Sequence, residues 1–365
     1  MLATLATAAL LLIQPLAPAP ATAPDLDAIA ETTLAASGAP GVAVMRVVDG
    51  EIAIGVAGLR ALGSEASIEA SDLWHMGSNS KAMTATLIAR LVEQGVVGWD
   101  DTIGQHLAAV IPDMDPAYRD LTFRHLLSHR AGITPNVGMI AMIQFNEQGA
   151  NGDPMPPQRI DYATRVLTQS PAATPETEFL YSNAGYVVAA AMIEQATGDS
   201  WETLITREVF EPLGMDSAAF GPPGSADVVD QPRGHRGGLF GRRAMEPGPM
   251  ADNPPVMGPG ATVHVSLQDL ALFLEAHLAG ARGEETGYLT AESWQTLHTP
   301  PFGGDYAMGW GFNGTQLLHA GSNTMWFVQM VIEPPTGRAY VVAFNDGRIN
   351  ALQGPTRDAI IAMAR

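Results

Sequence analysis

The stretch GVAVMRVVDGEIAIGVAG, residues 41–58, reads as two strands closed by a tight turn. Valine and isoleucine recur on both sides of Asp49-Gly50, and Asp-Gly suits the positive-φ geometry of a two-residue hairpin turn. Strand signals return at the far end of the chain, at Gln316 to Ala320, Trp326 to Glu333 and Ala339 to Asn345, with a Pro335-Thr336-Gly337 turn before the last. A short amphipathic helix is expected ahead of the hairpin at residues 25–36, and a closing helix at about 353–364.

Helical periodicity dominates between these ends. From Ser78 to Glu93 the apolar residues Met83, Leu87, Ile88, Leu91 and Val92 recur at helical spacing, and Gly95 follows as a stop. Tyr186 to Gln195 and Trp201 to Phe210 read as helices, and Ser266-Leu-Gln-Asp269 is a capping signature for a helix through about residue 279. Residues 134–160 and 218–260 are dense in Gly, Pro, Asn and Met and are expected as long loops that wall or cover a site. Strands at both ends with helices between predict an α+β fold. One antiparallel sheet is built from both termini and flanked by helices, with a helical subdomain inserted between its strands. The sheet part is expected at about 22–75 and 300–365, the helical and loop part at about 76–299, within one domain from 22 to 365.

Composition narrows the function. With 46% hydrophobic and 16% charged residues, the 365-residue chain has ample core and is not a disordered polymer. A net charge of -19 argues against nucleic acid or an anionic membrane as partner. The absence of cysteine excludes disulfides, thiolate metal sites and a Cys nucleophile. Met1 to Ile13 is almost wholly apolar, too short to span a bilayer, and followed by small residues at Ala19-Pro20-Ala21. Residues 1–21 are therefore expected to be a signal peptide, making the protein secreted or periplasmic with no stable membrane anchor. No Lys or Arg precedes the apolar run, and a packed N-terminal helix is the competing reading.

Chemistry concentrates around one residue. Lys81 is the only lysine among 19 basic residues. Arginine cannot give up its proton in a protein, whereas a buried lysine can become a neutral amine. Ser78 stands three residues earlier, on the same helical face, so Ser78-Asn79-Ser80-Lys81 pairs a hydroxyl with an amine that can take its proton. Ser78 also opens the helix, where free N–H groups favour the oxyanion of a tetrahedral intermediate. Tyr181-Ser182-Asn183 offers a phenol for proton relay and an amide for substrate. His319-Ala320-Gly321 closes a predicted strand with small residues that leave its edge open, and the Ser322 N–H is a candidate second oxyanion donor. Each of the last two motifs alone is weak.

In this order the motifs S-x-x-K, Y-x-N and H-x-G resemble the serine β-lactamase and penicillin-binding-protein-like hydrolases, in the branch of class C β-lactamases, D-alanyl-D-alanine carboxypeptidases and esterases. The segments LTFRHLLSHRAGI (121–133), PETEFLYSNAGYVVAAAMIEQATG (175–198), FEPLGM (210–215), VHVSLQDLALFL (263–274) and YAMGWGF (306–312) extend the likeness over about residues 28–348. The resemblance implies a β-lactamase/transpeptidase-like fold and a metal-independent, cofactor-free acyl-enzyme mechanism on a small-molecule or peptide substrate. Ser78 would be the nucleophile, with Lys81 and Tyr181 sharing base and acid roles. Asn183 would bind the substrate amide or orient Lys81. His319 and Gly321 would lie along the substrate, and the Ser78 and Ser322 N–H groups would form the oxyanion hole.

Many β-lactamases of this branch carry Lys where His319 stands. Histidine is mostly neutral at pH 7. The expectation is therefore an esterase or peptidase first, a D-Ala-D-Ala carboxypeptidase second and a β-lactamase third. Carboxylate-bearing substrates are expected to turn over better below about pH 6.5 than above. A catalytically silent binding module of the same fold is the alternative of a different class. The nine histidines show no H-E-x-x-H spacing and no G-x-S-x-G elbow is present, against a zinc hydrolase and an α/β-hydrolase. The basic run from Arg233 to Arg243 is expected to be a solvated loop, and Trp74, Trp310 and Trp326 core or pocket wall.

Overall fold

The computed structural model describes residues 24–238 and 241–365. The expected signal peptide, residues 1–21, lies outside the described residues. The Asp49-Gly50 turn forms as read: both residues have positive φ, 49° and 80°, and they join β1 (Gly41–Val48) to β2 (Glu51–Gly58) in antiparallel register. Four strands from the end of the chain, β3 (Gly311–Phe312), β4 (Leu317–Ser322), β5 (Phe327–Glu333) and β6 (Arg338–Phe344), complete a six-stranded sheet in the order β2-β1-β6-β5-β4-β3. Every neighbouring pair is antiparallel.

Alternation along the strands builds two cores. Val42 and Val44 of β1, with Val331 and Val342, face α1 (Leu26–Ser37) and the terminal helix α5 (Ile349–Ala364). Ala43, Met45 and Val47 face the opposite way, into a larger core that includes the helices of the middle of the chain. Two covered faces explain why β1 and β6 read as continuous apolar runs rather than alternating ones. On the second face α4 (Leu267–Ala281) packs on the strands, and the same core continues into α2 (Ser80–Glu93) and α3 (Asn183–Thr197). Ser266 caps α4, accepting from the Asp269 N–H at 3.2 Å, as the sequence indicates. Trp74, Trp310 and Trp326 are all fully buried.

Three segments differ from their sequence reading. Residues 134–160 are not one long loop but contain the helix Met139–Ala150 and the start of a second, Met155–Leu167. Pro156 and Pro157 occupy the first turn of the second, where a missing N–H leaves no gap in the helix ladder. On the first helix Met139, Ile140 and Ile143 face outward, which blurs its amphipathic pattern. Leu73–His75, Val263–Ser266 and Ala219–Phe220 form a second, three-stranded sheet too short to read from period. The basic run is solvated at Arg236 and Arg243, as expected, but is not a loop, because it holds the hairpin His235–Gly238 with Gly241–Ala244. His235 is buried between the Leu62 N–H at 3.0 Å and the Asn345 carbonyl at 2.6 Å, and Arg242 pairs with Asp346 at 2.6 Å.

Candidate active site

Ser78 lies in a 3-10 turn, Gly77–Asn79, that runs directly into α2. The Gly77 N–H donates to His75 Nδ1 at 3.1 Å, Ser80 Oγ donates to the Gly77 carbonyl at 2.8 Å, and Asn79 Nδ2 donates to the Val328 carbonyl of β5 at 3.1 Å. Gly77 has φ +50°, and a Cβ there would stand 2.4 Å from the Ser322 nitrogen. The turn and the end of β4 are thus in backbone contact, with Ser78 and Ser322 on adjoining segments.

That contact corrects the reading of Gly321. It is buried, and a Cβ on it would fall 1.9 Å from the Met76 carbonyl oxygen. Gly321 lets β4 close on the Ser78 turn, and in this sheet Ala320 is the exposed residue of the H-x-G motif. Its role is close approach of two backbones rather than contact with a substrate.

Lys81 is one helical turn beyond Ser78 and has no exposed surface. Its Nζ donates to Ser78 Oγ at 3.1 Å, Asn183 Oδ1 at 2.6 Å and the Gly260 carbonyl at 2.8 Å. None of these partners is a carboxylate. Burial without a compensating anion lowers the Lys81 pKa from 10.5 to about 7. The three partners also direct the lone pair. Asn183 Oδ1 and Gly260 O only accept hydrogen bonds, so they hold two N–H bonds of the neutral amine. The remaining position on nitrogen, the lone pair, then faces the Ser78 hydroxyl.

Tyr181 enters from the start of α3. Ser182 caps that helix, accepting from the Gly185 N–H at 3.0 Å, and the Asn183 N–H donates to the Pro135 carbonyl at 3.0 Å. Asn183 Nδ2 donates to Asn136 Oδ1 at 3.0 Å, which leaves Oδ1 for Lys81. Asn183 therefore orients the amine, one of the two roles open to it from sequence. The Tyr181 ring lies 4.9 Å from Lys81 Nζ. Burial raises the Tyr181 pKa to about 12, with a hydrogen bond to Ser78 acting in the opposite direction. His129, a non-glycine residue at φ +61°, braces Tyr181: its carbonyl accepts from the Leu180 N–H at 2.9 Å and its Nδ1 from the Ser182 N–H at 3.1 Å.

His319 reaches the same place from β4. Its Nδ1 bonds the Gly309 carbonyl at 2.6 Å, which puts the proton on Nδ1 and leaves Nε2 an acceptor. Burial, with the Lys81 charge adding to it, lowers the His319 pKa from 6.5 to about 4. The expected switch near pH 6.5 is therefore corrected: His319 is neutral through the ordinary working range and is not a cation for a substrate carboxylate there.

Sequence reasoning missed four contributors. The Gly260 carbonyl has no residue-type signature. Asn136 lies in a segment read only as loop. His129 sits inside the quoted segment 121–133, and Tyr306, whose ring lies 6.5 Å from that of Tyr181, inside 306–312. Their repeated neighbourhood to Tyr181 is visible only in three dimensions. Among the described residues no group of His, Asp and Glu side chains is arranged to hold a metal, and no helix is long and apolar enough to cross a membrane.

The sheet, the helices on its inner face and a hydroxyl–amine–phenol cluster between them define a class, the serine hydrolases of β-lactamase fold. The Beta-lactamase family matches residues 26–362, and the chain belongs to that family. It is 27% identical over 257 residues to penicillin-binding protein 4 of Amycolatopsis lactamdurans, covering 70% of this chain and 64% of that protein. It is 27% identical over 292 residues to the unguisins hydrolase ungD′ of Aspergillus campestris, covering 75% and 52%. The chain thus spans about half to two thirds of the length of these two curated relatives. Among solved structures, the D-amino acid amidase of Ochrobactrum anthropi SV3 superposes with a TM-score of 0.69 at 20% identity, over 93% of this chain and 96% of that one. The hydrolase EstCE1, described as having promiscuous acyltransferase activity, superposes with a TM-score of 0.71 at 17% identity, over 92% and 97%. At these identities the structural likeness speaks to fold.

Proposed function

We propose that this protein hydrolyses amide or ester bonds through an acyl-enzyme on Ser78, with esters and peptides as the leading substrates. The observation that carries the reading is the buried Lys81 amine, 3.1 Å from Ser78 Oγ, whose other two partners are pure acceptors. Lys81 is the first base. Near pH 7 about half of it is neutral, whereas Tyr181, held near 12, is phenolate only at about one part in 10⁵.

Ser78 Oγ attacks the substrate carbonyl carbon as its proton passes to Lys81 Nζ. The Ser78 and Ser322 N–H groups receive the oxyanion. When the tetrahedral intermediate collapses, the Tyr181 hydroxyl gives its proton to the leaving amine or alcohol and regains one from the Lys81 ammonium. Water then attacks the acyl-enzyme with the same groups in reverse roles, releasing acid and restoring Ser78. Neutral His319 offers Nε2 to a donor on the substrate. The missing cation at this position keeps a D-Ala-D-Ala carboxypeptidase and a β-lactamase behind an esterase or peptidase. The names of the relatives, a penicillin-binding protein, a peptide-natural-product hydrolase and an amidase, support acyl transfer in general. Export after loss of residues 1–21, to the periplasm or outside the cell, completes the proposal.

The test is mass spectrometry after exposure to a fluorophosphonate, with Ser78→Ala as control. A single adduct on Ser78 is expected. A folded wild type that stays unlabelled where a control hydrolase reacts would leave a binding module of this fold as the answer. A p-nitrophenyl ester, a D-Ala-D-Ala peptide and a chromogenic cephalosporin, compared on one preparation, rank the substrate classes.

A further inference from the structure

A buried chain of polar side chains behind Ser78 is unused by this mechanism. His75 is fully buried, and its two ring nitrogens have different partners. Nδ1 accepts from the Gly77 N–H at 3.1 Å, so the ring proton sits on Nε2 and is donated to Asp252 Oδ2 at 2.8 Å. The other Asp252 oxygen accepts from the Asn253 N–H at 2.7 Å and from Asn323 Nδ2 at 3.1 Å. Asn323 Nδ2 also donates to the Ala251 carbonyl at 3.1 Å, and its Oδ1 accepts from the N–H groups of Met325 and Trp326 at 3.1 and 3.2 Å. The His75 ring stacks on Trp326 at 5.4 Å.

The two ends of this chain are the two backbone segments proposed to hold the oxyanion. One end is the Gly77 N–H, one residue before Ser78. The other is the β4–β5 turn that begins at Ser322, whose own Oγ donates to the Trp326 carbonyl at 2.5 Å. Gly77 packs against the Ser322 backbone, so the chain spans a contact that is already tight. On the acyl-enzyme reading given above, we infer that His75 and Asp252 are positioning residues that set the separation and direction of the Ser78 and Ser322 N–H groups. Asp252 fixes the His75 tautomer, and that tautomer alone presents an acceptor to Gly77. The opposite tautomer would point an N–H at the Gly77 N–H.

Two substitutions separate the two halves of the ring. His75→Asn places a carbonyl oxygen near the Nδ1 position and keeps an acceptor for Gly77. His75→Gln reaches toward Asp252 and leaves Gly77 without one. The full chain is assayed for fluorophosphonate labelling of Ser78, for kcat and KM on p-nitrophenyl acetate, for inhibition by phenylboronic acid and for Tm. In His75→Gln, kcat and the labelling rate are expected to fall about 100-fold with KM within about twofold, the size of loss seen when an oxyanion donor is misplaced. Phenylboronic acid, whose tetrahedral adduct puts an oxygen in the same place, weakens in parallel. His75→Asn keeps kcat within about 10-fold of wild type at a similar Tm. Equal rates in the two variants, or losses that appear in KM or follow Tm, would overturn the inference. If neither variant folds, Asp252→Asn takes their place, and wild-type kcat in that folded variant overturns it equally. Absence of labelling in the wild type is a different result, which removes the acyl-enzyme reading itself.

Discussion

Replacing Lys81 by Arg keeps a positive charge near Ser78 and removes the only readily detachable proton. The size of the effect follows from burial. With its pKa lowered to about 7, about half of Lys81 is free amine at pH 7; at the ordinary 10.5 only about one part in 3,000 would be. Burial thus raises the population of base by more than about 10³-fold. Arginine, with a pKa above about 12, would supply under one part in 10⁵. Lys81→Arg is therefore expected to slow acylation by more than about 10⁴-fold, and further if the larger guanidinium displaces Asn183 or the Gly260 carbonyl. Stopped-flow release of p-nitrophenol in the burst phase measures acylation directly, and circular dichroism confirms the fold. In the wild type the same rate should climb tenfold per pH unit below about 7 and level off above it, because the neutral form is the active one. Acylation in a folded Lys81→Arg within tenfold of wild type, or a wild-type rate that falls with rising pH through 7, would refute Lys81 as the proton acceptor.

Other consequences concern stability and specificity. A lysine whose folded pKa is depressed binds fewer protons folded than unfolded, so its contribution to stability is full above about 10.5 and is lost as pH falls toward about 7. Denaturant melts of wild type minus Lys81→Met should therefore gain about 2 kcal/mol in favour of wild type between pH 7 and 9, and a flat difference would contradict the burial of a neutral amine. Gly321→Ala drives a methyl into the Met76 carbonyl oxygen, and a loss of about 1–3 kcal/mol with slowed Ser78 labelling is expected; an unchanged Tm would show that β4 does not close on the turn. Arg159 is fully buried between Glu194 and Glu202, so Arg159→Ala strands a carboxylate and should lower stability by about 3–5 kcal/mol in urea melts. With His319 neutral down to about 4, the turnover ratio of a carboxylate-bearing ester to its neutral analogue should stay constant from pH 5.5 to 8; a step near 6.5 would restore the titrating histidine.

Much of the architecture was legible because it is written in local pattern. The 41–58 hairpin follows from β-branched runs about an Asp-Gly turn, and α2, α4 and the terminal strands follow from period and caps. The lone lysine three residues after a serine pointed to the candidate site before any contact was known, because only a removable proton distinguishes it from the 18 other basic residues. Where prolines open a helix, as at 156 and 157, or where a helix exposes its apolar residues, as at Met139 and Ile140, local pattern misled.

What the chain order could state was which residue types recur at which spacing, and that was enough for an α+β fold with a sheet from both ends and to nominate Ser78, Lys81 and Tyr181 as candidates. Tertiary packing alone decided the protonation states and the backbone contacts. The Lys81 pKa falls to about 7 because packing that brings Asn183 and Gly260 onto it excludes water, and His319 is neutral because β4 buries it against the Gly309 carbonyl. The Gly260 carbonyl and the His75–Asp252 pair act through position, not residue type. Desolvation and hydrogen-bond direction are properties of surroundings gathered from across the chain, and no local stretch of residues contains them.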